Sequence, residues 1–190
     1  MVQFKKMATR KRRHNSLGLT VLETLIILAA VAVVVLIAVP GSDILLEKYR
    51  LKSASSKLLD SLDLAKSEAR ARGSTVIMCP SSNGHSCRSD HNWNHGWLVF
   101  TDGNGNGTAQ DIELIRAFEA PNKDIRIVAK GAVEEAASFT MTGLVEQNGT
   151  QTGLFRICLQ GSDAPPRVVS VDEEGWVQPV PVHEEVCDRS

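Results

Sequence analysis

Hydrophobic positions follow three regimes along this chain of 190 residues. From Leu19 to Val39 the side chains are almost all apolar, and Glu23 is the one charge among those 21 residues. A helix of that length can cross a hydrocarbon core of about 30 Å. After Pro40 the pattern changes. Leu51, Ala54, Leu58, Leu62, Ala65 and Ala69 recur at three- and four-residue spacing, with Lys52, Lys57, Asp60, Asp63, Lys66 and Arg70 mostly elsewhere. That is an amphipathic helix. Pro40 removes one ladder hydrogen bond, which predicts a kink rather than an end. Arg70 and Arg72 followed by Gly73 form the cations-then-glycine ending of a helix. The pattern predicts one helix from Leu19 to Arg72, about 54 residues and about 80 Å long.

Beyond Gly73 the apolar runs become short and are bounded by Gly, Pro, Asn and Asp, the signature of strands. They are Thr75–Cys79, Trp97–Thr101, Ile112–Phe118, Ile125–Val128, Ser138–Met141, Leu154–Cys158 and Arg167–Val171, with Trp176–Val177 a shorter candidate. Runs at this spacing predict an antiparallel sandwich or a pair of sheets. The helix must bury its apolar stripe on them. The expected fold is α+β: a long N-terminal helix on an antiparallel β-sandwich-like globular domain. The expected domains are a leader over residues 1–18, a transmembrane half-helix over 19–39, an amphipathic half-helix over 40–72 and a β-rich domain over 73–190.

Charge sets the orientation. The leader carries Lys5, Lys6, Arg10, Lys11, Arg12 and Arg13 with no acid. The positive-inside rule keeps such a segment cytoplasmic and sends the rest of the chain across the membrane. A secretory signal peptide is the competing reading, but it wants a shorter apolar core followed by a small-x-small cleavage site. Removing the six leader cations takes the formal charge from -1 to -7, which disfavours non-specific attraction to nucleic acid or anionic lipid. Cys79, Cys87, Cys158 and Cys187 all follow the apolar run. In an oxidising periplasm they read as disulfides with three possible connectivities. Sequence proximity favours Cys79–Cys87 and Cys158–Cys187.

A carboxylate near the bilayer centre costs about 2.5–3.5 kcal/mol on insertion scales, so Glu23 carries a functional reading by default. Gly18-Leu19-Thr20-Val21-Leu22-Glu23 resembles the type IV prepilin processing site. The resemblance implies that a prepilin peptidase cuts between Gly18 and Leu19 and that Leu19 is then N-methylated. It also implies that Glu23 pairs with the N-terminal amine of a neighbouring subunit, and a buried carboxylate does need such a partner. The family's usual first residue is Phe, so Leu19 is a mild departure. A second block, Leu62, Ala65, Lys66, Ser67, Glu68, Ala69, Arg72 and Gly73, leads into a strand ending Cys79-Pro80. Trp93, Gly96 to Phe100 and a Thr-Asp-x-Asn-x-Asn-Gly turn follow. Together these resemble the FimT/FimU-type minor pilins and the related minor pseudopilin H of type II secretion. The match runs to about Arg116 and weakens afterwards.

That resemblance implies a non-enzymatic structural subunit of a type IV pilus, acting in pilus assembly or initiation at or near the tip. Its partners would be other major and minor pilins, the prepilin peptidase and the inner membrane, with no cofactor. The alternatives are a type II secretion minor pseudopilin and a DNA-binding subunit of a competence pilus. A signal-anchored periplasmic enzyme is a further class, but no G-x-S-x-G elbow or phosphate loop supports it.

Three other constellations have a bland reading beside the sharp one. Asp102, Asn104 and Asn106 followed by Glu113 have EF-hand spacing. Their flanks read as strands, and Gly and Asn are what a tight hairpin requires, so a turn is expected rather than a calcium site. Cys79, Cys87, His91 and His95 could be written as a zinc set, but the two thiols are expected to oxidise to one another. His85, Arg88 and Trp93, with His91 and His95, form a basic-aromatic loop that could stack single-stranded DNA. A solvated loop around one core tryptophan is the expectation. DNA-binding relatives use a Gly-Arg-x-Arg segment, where this chain has Gly175-Trp176-Val177-Gln178 preceded by Asp172, Glu173 and Glu174.

Overall fold

The computed structural model describes residues 20–38, 42–145, 151–162 and 164–180. It divides into two units, Met1–Ser42 and Asp43–Ser190, and each is described by itself.

In the first unit, helix α1 covers Val21–Ala38. Its described apolar side chains are open, and Val21, Leu22, Leu25, Ile26 and Leu28 are all more than half exposed. Among the described residues no helix is long and apolar enough to cross a membrane. With 18 residues α1 spans about 27 Å, against a hydrocarbon core of about 30 Å. Leu19 and Val39, the ends of the apolar run, lie outside the described residues, as does the expected kink at Pro40.

The second unit is built on helix α2 (Ser42–Arg72). The stripe of Leu51, Ala54, Leu58, Leu62, Ala65 and Ala69 is buried, the last four completely. The helix ends where its sequence says it should. Gly73 takes φ +63°, the left-handed conformation that costs a glycine least, and its N–H bonds the Ala69 carbonyl at 3.0 Å.

Eight strands follow: β1 (Thr75–Pro80), β2 (Gly96–Asp102), β3 (Leu114–Glu119), β4 (Ile125–Gly131), β5 (Ala137–Phe139), β6 (Gly153–Leu159), β7 (Arg167–Val171) and β8 (Val177–Val180). They form two antiparallel four-stranded sheets, ordered β3-β2-β1-β5 and β4-β6-β7-β8. The inner residues of both sheets and the α2 stripe form one core, which includes Val76, Met78, Trp97, Val99, Phe139, Ile127, Phe155, Ile157 and Val169.

The first sheet is buried on its other face too. Ile77, Cys79, Leu98 and Phe100 make a second, smaller cluster there. Burial on both sides is why β1 and β2 read as continuous apolar runs, whereas β4, buried on one side, alternates. Gly96 opens β2 at φ +101°, and a Cβ on it would lie 2.4 Å from the Phe118 carbonyl oxygen, so β3 can approach only a glycine.

Two tryptophans tie the layers. Trp97 donates its indole N–H to Ser61 Oγ on α2 at 2.8 Å and stacks on Phe118 with centroids 6.0 Å apart. Trp93 sits in a 3-10 turn, Trp93–His95, edge-on to Phe155 of the second sheet at 5.0 Å, and donates to the Glu134 carbonyl. In the same turn Asn94 Oδ1 accepts the Ile127 N–H at 2.6 Å, satisfying a donor on the open side of β4.

Only β7 keeps the bounds read from the sequence: β4 runs on to Gly131, β8 covers Val177–Val180, and β3 and β5 each lose two residues at one end. β3 begins at Leu114, because Ile112 is 91% exposed in the preceding turn. β5 stops at Phe139, because the chain turns through Thr140 to Gly143, with Thr140 N–H bonding the Gly143 carbonyl, and leaves Met141 outside.

Leu62→Ala should destabilise the second unit by about 2–5 kcal/mol, since it opens a cavity where α2 meets both sheets. Asp60→Ala, on the exposed face, should stay within about 0.5 kcal/mol. Urea unfolding of the chain from Asp43 onward, followed by tryptophan fluorescence, compares the two.

Candidate functional site

The start of α1 carries Glu23, the described one of the residues that the processing motif singles out. Thr20 stands just before the helix. Its Oγ1 accepts the Glu23 N–H at 3.2 Å, and its carbonyl accepts the Thr24 N–H at 3.1 Å, so Thr20 is the N-cap. Thr24 donates its hydroxyl to the Val21 carbonyl at 2.8 Å, with the Thr20 carbonyl also within reach at 3.5 Å. Glu23 lies in the first turn, where a carboxylate is favoured by the helix dipole, and it is exposed. Gly18 and Leu19, the residues either side of the expected cut, lie outside the described residues.

The other candidates gather over the outer face of the first sheet. Cys79 and Cys87 are joined in a disulfide that closes the loop after β1. Within that loop Asn83 Oδ1 accepts the N–H groups of His85 and Ser86 at 2.9 and 3.0 Å, and Arg88 N–H bonds the Pro80 carbonyl at 2.8 Å. His85 Nδ1 lies 3.0 Å from Asp111 Oδ1, linking this loop to the one between β2 and β3. These two loops flank the small cluster of Leu98 and Phe100, both fully buried.

The residues named for the DNA-stacking alternative sit as follows. Trp93 is 1% exposed and has no free face for a base. Arg88 is paired with Asp90 through Nε–Oδ1 at 2.8 Å, and its guanidinium holds the Asp90 carboxyl down to about 2. His91 and His95 are exposed. The zinc alternative meets a second obstacle, because both of its thiols are consumed in the disulfide.

In the β2–β3 loop the EF-hand-spaced oxygens serve the backbone. Asp102 accepts the N–H groups of Asn106 and Gly107 at 3.0 and 3.1 Å. Asn104 Oδ1 also accepts from Asn106, at 3.0 Å, Asn106 Oδ1 accepts from Thr108 at 2.8 Å, and Glu113 Oε1 accepts from Gly103 at 3.3 Å. The loop is a chain of Asx turns between two strands. Among the described residues no group of three or more His, Cys, Asp or Glu side chains could hold a metal ion. Cys158 is disulfide-bonded, and Cys187, its expected partner, lies outside the described residues.

One feature escaped sequence reasoning. Lys66 reads as part of the polar face of α2, yet it is 8% exposed, with its ammonium 4.3 Å from the ring centroid of Trp176. Burial pushes its pKa below the ordinary lysine range and Arg70 pushes the same way, while Asp172, Asp63 and Glu174 oppose them. Trp176 itself is 62% exposed. The signal lay in the hairpin carrying Trp176, whose position over α2 only the tertiary fold supplies.

Residues 54–175, well over half of the chain, match a family model described as type II transport protein GspH. The chain belongs to the GspH family. Among solved structures it is similar to the type IV minor pilin FimU of Pseudomonas aeruginosa strain PAO1. In one crystal form the identity is 25%, with 71% of this chain and 91% of FimU covered and a TM-score of 0.56. In a second form the figures are 24%, 68%, 92% and 0.51. The minor pseudopilin EpsH from the type 2 secretion system of Vibrio cholerae is 12% identical, with 69% of this chain and 96% of EpsH covered and a TM-score of 0.45. A comparison with curated protein sequences gives no match. As a GspH-family chain of the minor pilin and pseudopilin class, it is a structural subunit rather than an enzyme.

The GspH-family domain from Asp43 onward carries 21 acids against 15 Lys and Arg, so its long-range field opposes a polyanion. Gel shifts with single-stranded DNA at neutral pH and about 150 mM salt should show no micromolar complex. A complex lost on His85→Ala with Arg88→Ala would place DNA on the loop after β1.

Proposed function

We propose that this chain is a minor pilin, a structural subunit that enters a type IV pilus and acts in its assembly or initiation. The observation that carries the reading is the likeness to FimU over 91% of that solved chain, coupled to an apolar helix whose described side chains are exposed. In this reading the leader of residues 1–18 is removed by a prepilin peptidase between Gly18 and Leu19, and the amine of Leu19 is methylated. The run from Leu19 to Val39 holds the precursor in the inner membrane with its N-terminus cytoplasmic and its β-rich domain periplasmic. The same run then packs among the helices of other pilins. There Glu23 offers its carboxylate to the N-terminal amine of a neighbour, which turns a charge costly in lipid into a paired one. The Cys158–Cys187 disulfide secures the C-terminal segment.

A second reading has its own support, because the matching family is described as a type II transport protein. A secretion pseudopilus would use the same helix and the same processing.

Deleting the gene and scoring surface piliation and type II secretion side by side separates the two. The pilin reading expects piliation to fall and secretion to persist; the reverse outcome selects the pseudopilin. Intact-mass measurement of the membrane-extracted protein checks the shared step, with the mature chain expected to begin at Leu19. A protein that retains residues 1–18 in wild-type cells would contradict both readings.

A further inference from the structure

The outer face of the second sheet is cationic. β4 sends Ile125, Ile127 and Ala129 into the core, so Arg126, Val128 and Lys130 point the other way. On β6, Phe155, Ile157 and Leu159 are core residues, which places Leu154, Arg156 and Cys158 on the same outer face. These six residues line a cavity of about 190 Å³. Arg126 stands opposite Cys158, Val128 opposite Arg156 and Lys130 opposite Leu154, so Arg156 is a diagonal neighbour of both other cations. The outward positions of β7 and β8 are Val168, Ser170, Gln178 and Val180, none of them charged. Like charges this close repel, so the face calls for an anionic cover. Neither arginine is without a partner.

Cys158 points to what the cover is. It is 6% exposed yet belongs to neither apolar cluster, and it is disulfide-bonded. The sequence holds four cysteines and Cys79 is bonded to Cys87, which leaves Cys187. Cys187 belongs to residues 181–190, outside the described residues, and this segment carries Glu184, Glu185 and Asp188 against Arg189.

The chain is long enough for the return. β8 runs parallel to β6 and ends at Val180, in the same cross-sheet row as Val168 and Arg156. Cys158 is two strands across and two residues along from Val180, a distance of about 12 Å. The seven residues from Val180 to Cys187 span up to about 23 Å when extended. A tethered segment also acts at an effective concentration that a dilute partner does not match.

We infer that residues 181–190 form an acidic clasp: pinned by Cys158–Cys187, the segment lies over the outer face of β4 and β6, with Glu184 and Glu185 facing Arg126, Lys130 and Arg156. The inference rests on the Cys158–Cys187 pairing of the reading above. The clasp neutralises the cationic face and closes it to anions from outside.

The test reads how fast each disulfide opens in the full-length chain held in detergent, with dithiothreitol as reductant and alkylation followed by peptide mapping. One thiolate of the reductant attacks a sulfur of the bond, its second thiol closes the oxidised ring, and the protein gains two thiols. That attack needs the bond uncovered, so its rate reports the seating of the clasp. Glu184→Gln with Glu185→Gln should speed the opening of Cys158–Cys187 about fivefold, and Arg126→Gln with Arg156→Gln by about the same factor. Combining all four should add little, because each pair removes the same contact. The Cys79–Cys87 bond should open at an unchanged rate throughout, and the charge-matched Asp60→Asn with Glu119→Gln should leave both rates at wild type. The glutamate variant leaves every described residue intact, so it decides the matter where loss of the arginines disturbs the sheet.

A glutamate variant whose Cys158–Cys187 bond opens no faster than wild type would overturn the inference, and so would additive effects in the combined variant. A wild-type rate that falls as protein concentration rises would overturn it in favour of a second copy on this face. A wild-type map without a Cys158–Cys187 peptide would instead defeat the pairing itself.

Discussion

Everything described in the second unit of this chain hangs on the apolar seam of α2. Six side chains from Leu51 to Ala69 lie on one face, and three of them are alanines, which keep the helix close to the sheets. Two four-stranded sheets cannot both bury an inner face on a single helix unless something fills the wedge between them. Trp93 and Trp97 do so, one against Phe155 of the second sheet and the other against Ser61 of the helix. Each indole N–H is satisfied, so these large side chains add burial without orphaning a donor.

The outer face of the first sheet meets a different constraint. Ile77, Leu98 and Phe100 would be exposed apolar surface if the connections beside them were short. The disulfide-closed loop after β1 and the Asx-turn loop after β2 flank this face, and the His85–Asp111 contact links them. Residues with the look of a metal or nucleic-acid site are thus engaged in holding two long loops in place. An exposed ion pair such as His85–Asp111 contributes little by itself, so the disulfide is the stronger fastening.

Much of this was legible in the sequence, and the gaps have physical causes. The seam of α2, its end at Gly73 and the cores of β1, β2, β4, β6 and β7 follow from periodicity and turn residues, which act locally. The ends of β3 and β5 did not, because hydrophobicity alone cannot tell Ile112 and Met141 in exposed turns from residues of a strand. The burial of Lys66 was out of reach for the same reason: it depends on a hairpin more than a hundred residues away folding back over α2. The basic-aromatic loop offered two readings, and the expected one placed its tryptophan in the core. Its composition suits DNA, but Trp93 is committed to the core and Arg88 to Asp90. For the N-terminal segment the order is reversed, since the processing motif is plain in the sequence while the structure adds the cap at Thr20.

The two units make opposite demands on their surroundings. The domain buries much of its apolar surface in its own core, whereas the described side chains of α1 are exposed and call for cover by lipid or by other helices. On the proposed reading, the helices of neighbouring pilins supply that cover and Glu23 gives the packing a register. The most direct measurement is quantitative mass spectrometry of sheared surface filaments from wild-type cells and from cells carrying Glu23→Ala. The account expects the mature chain in wild-type filaments at a small fraction of the major subunit, and its loss from them in the variant while the membrane pool persists. Equal incorporation of the variant, or a wild-type chain found only as a free periplasmic protein, would contradict it.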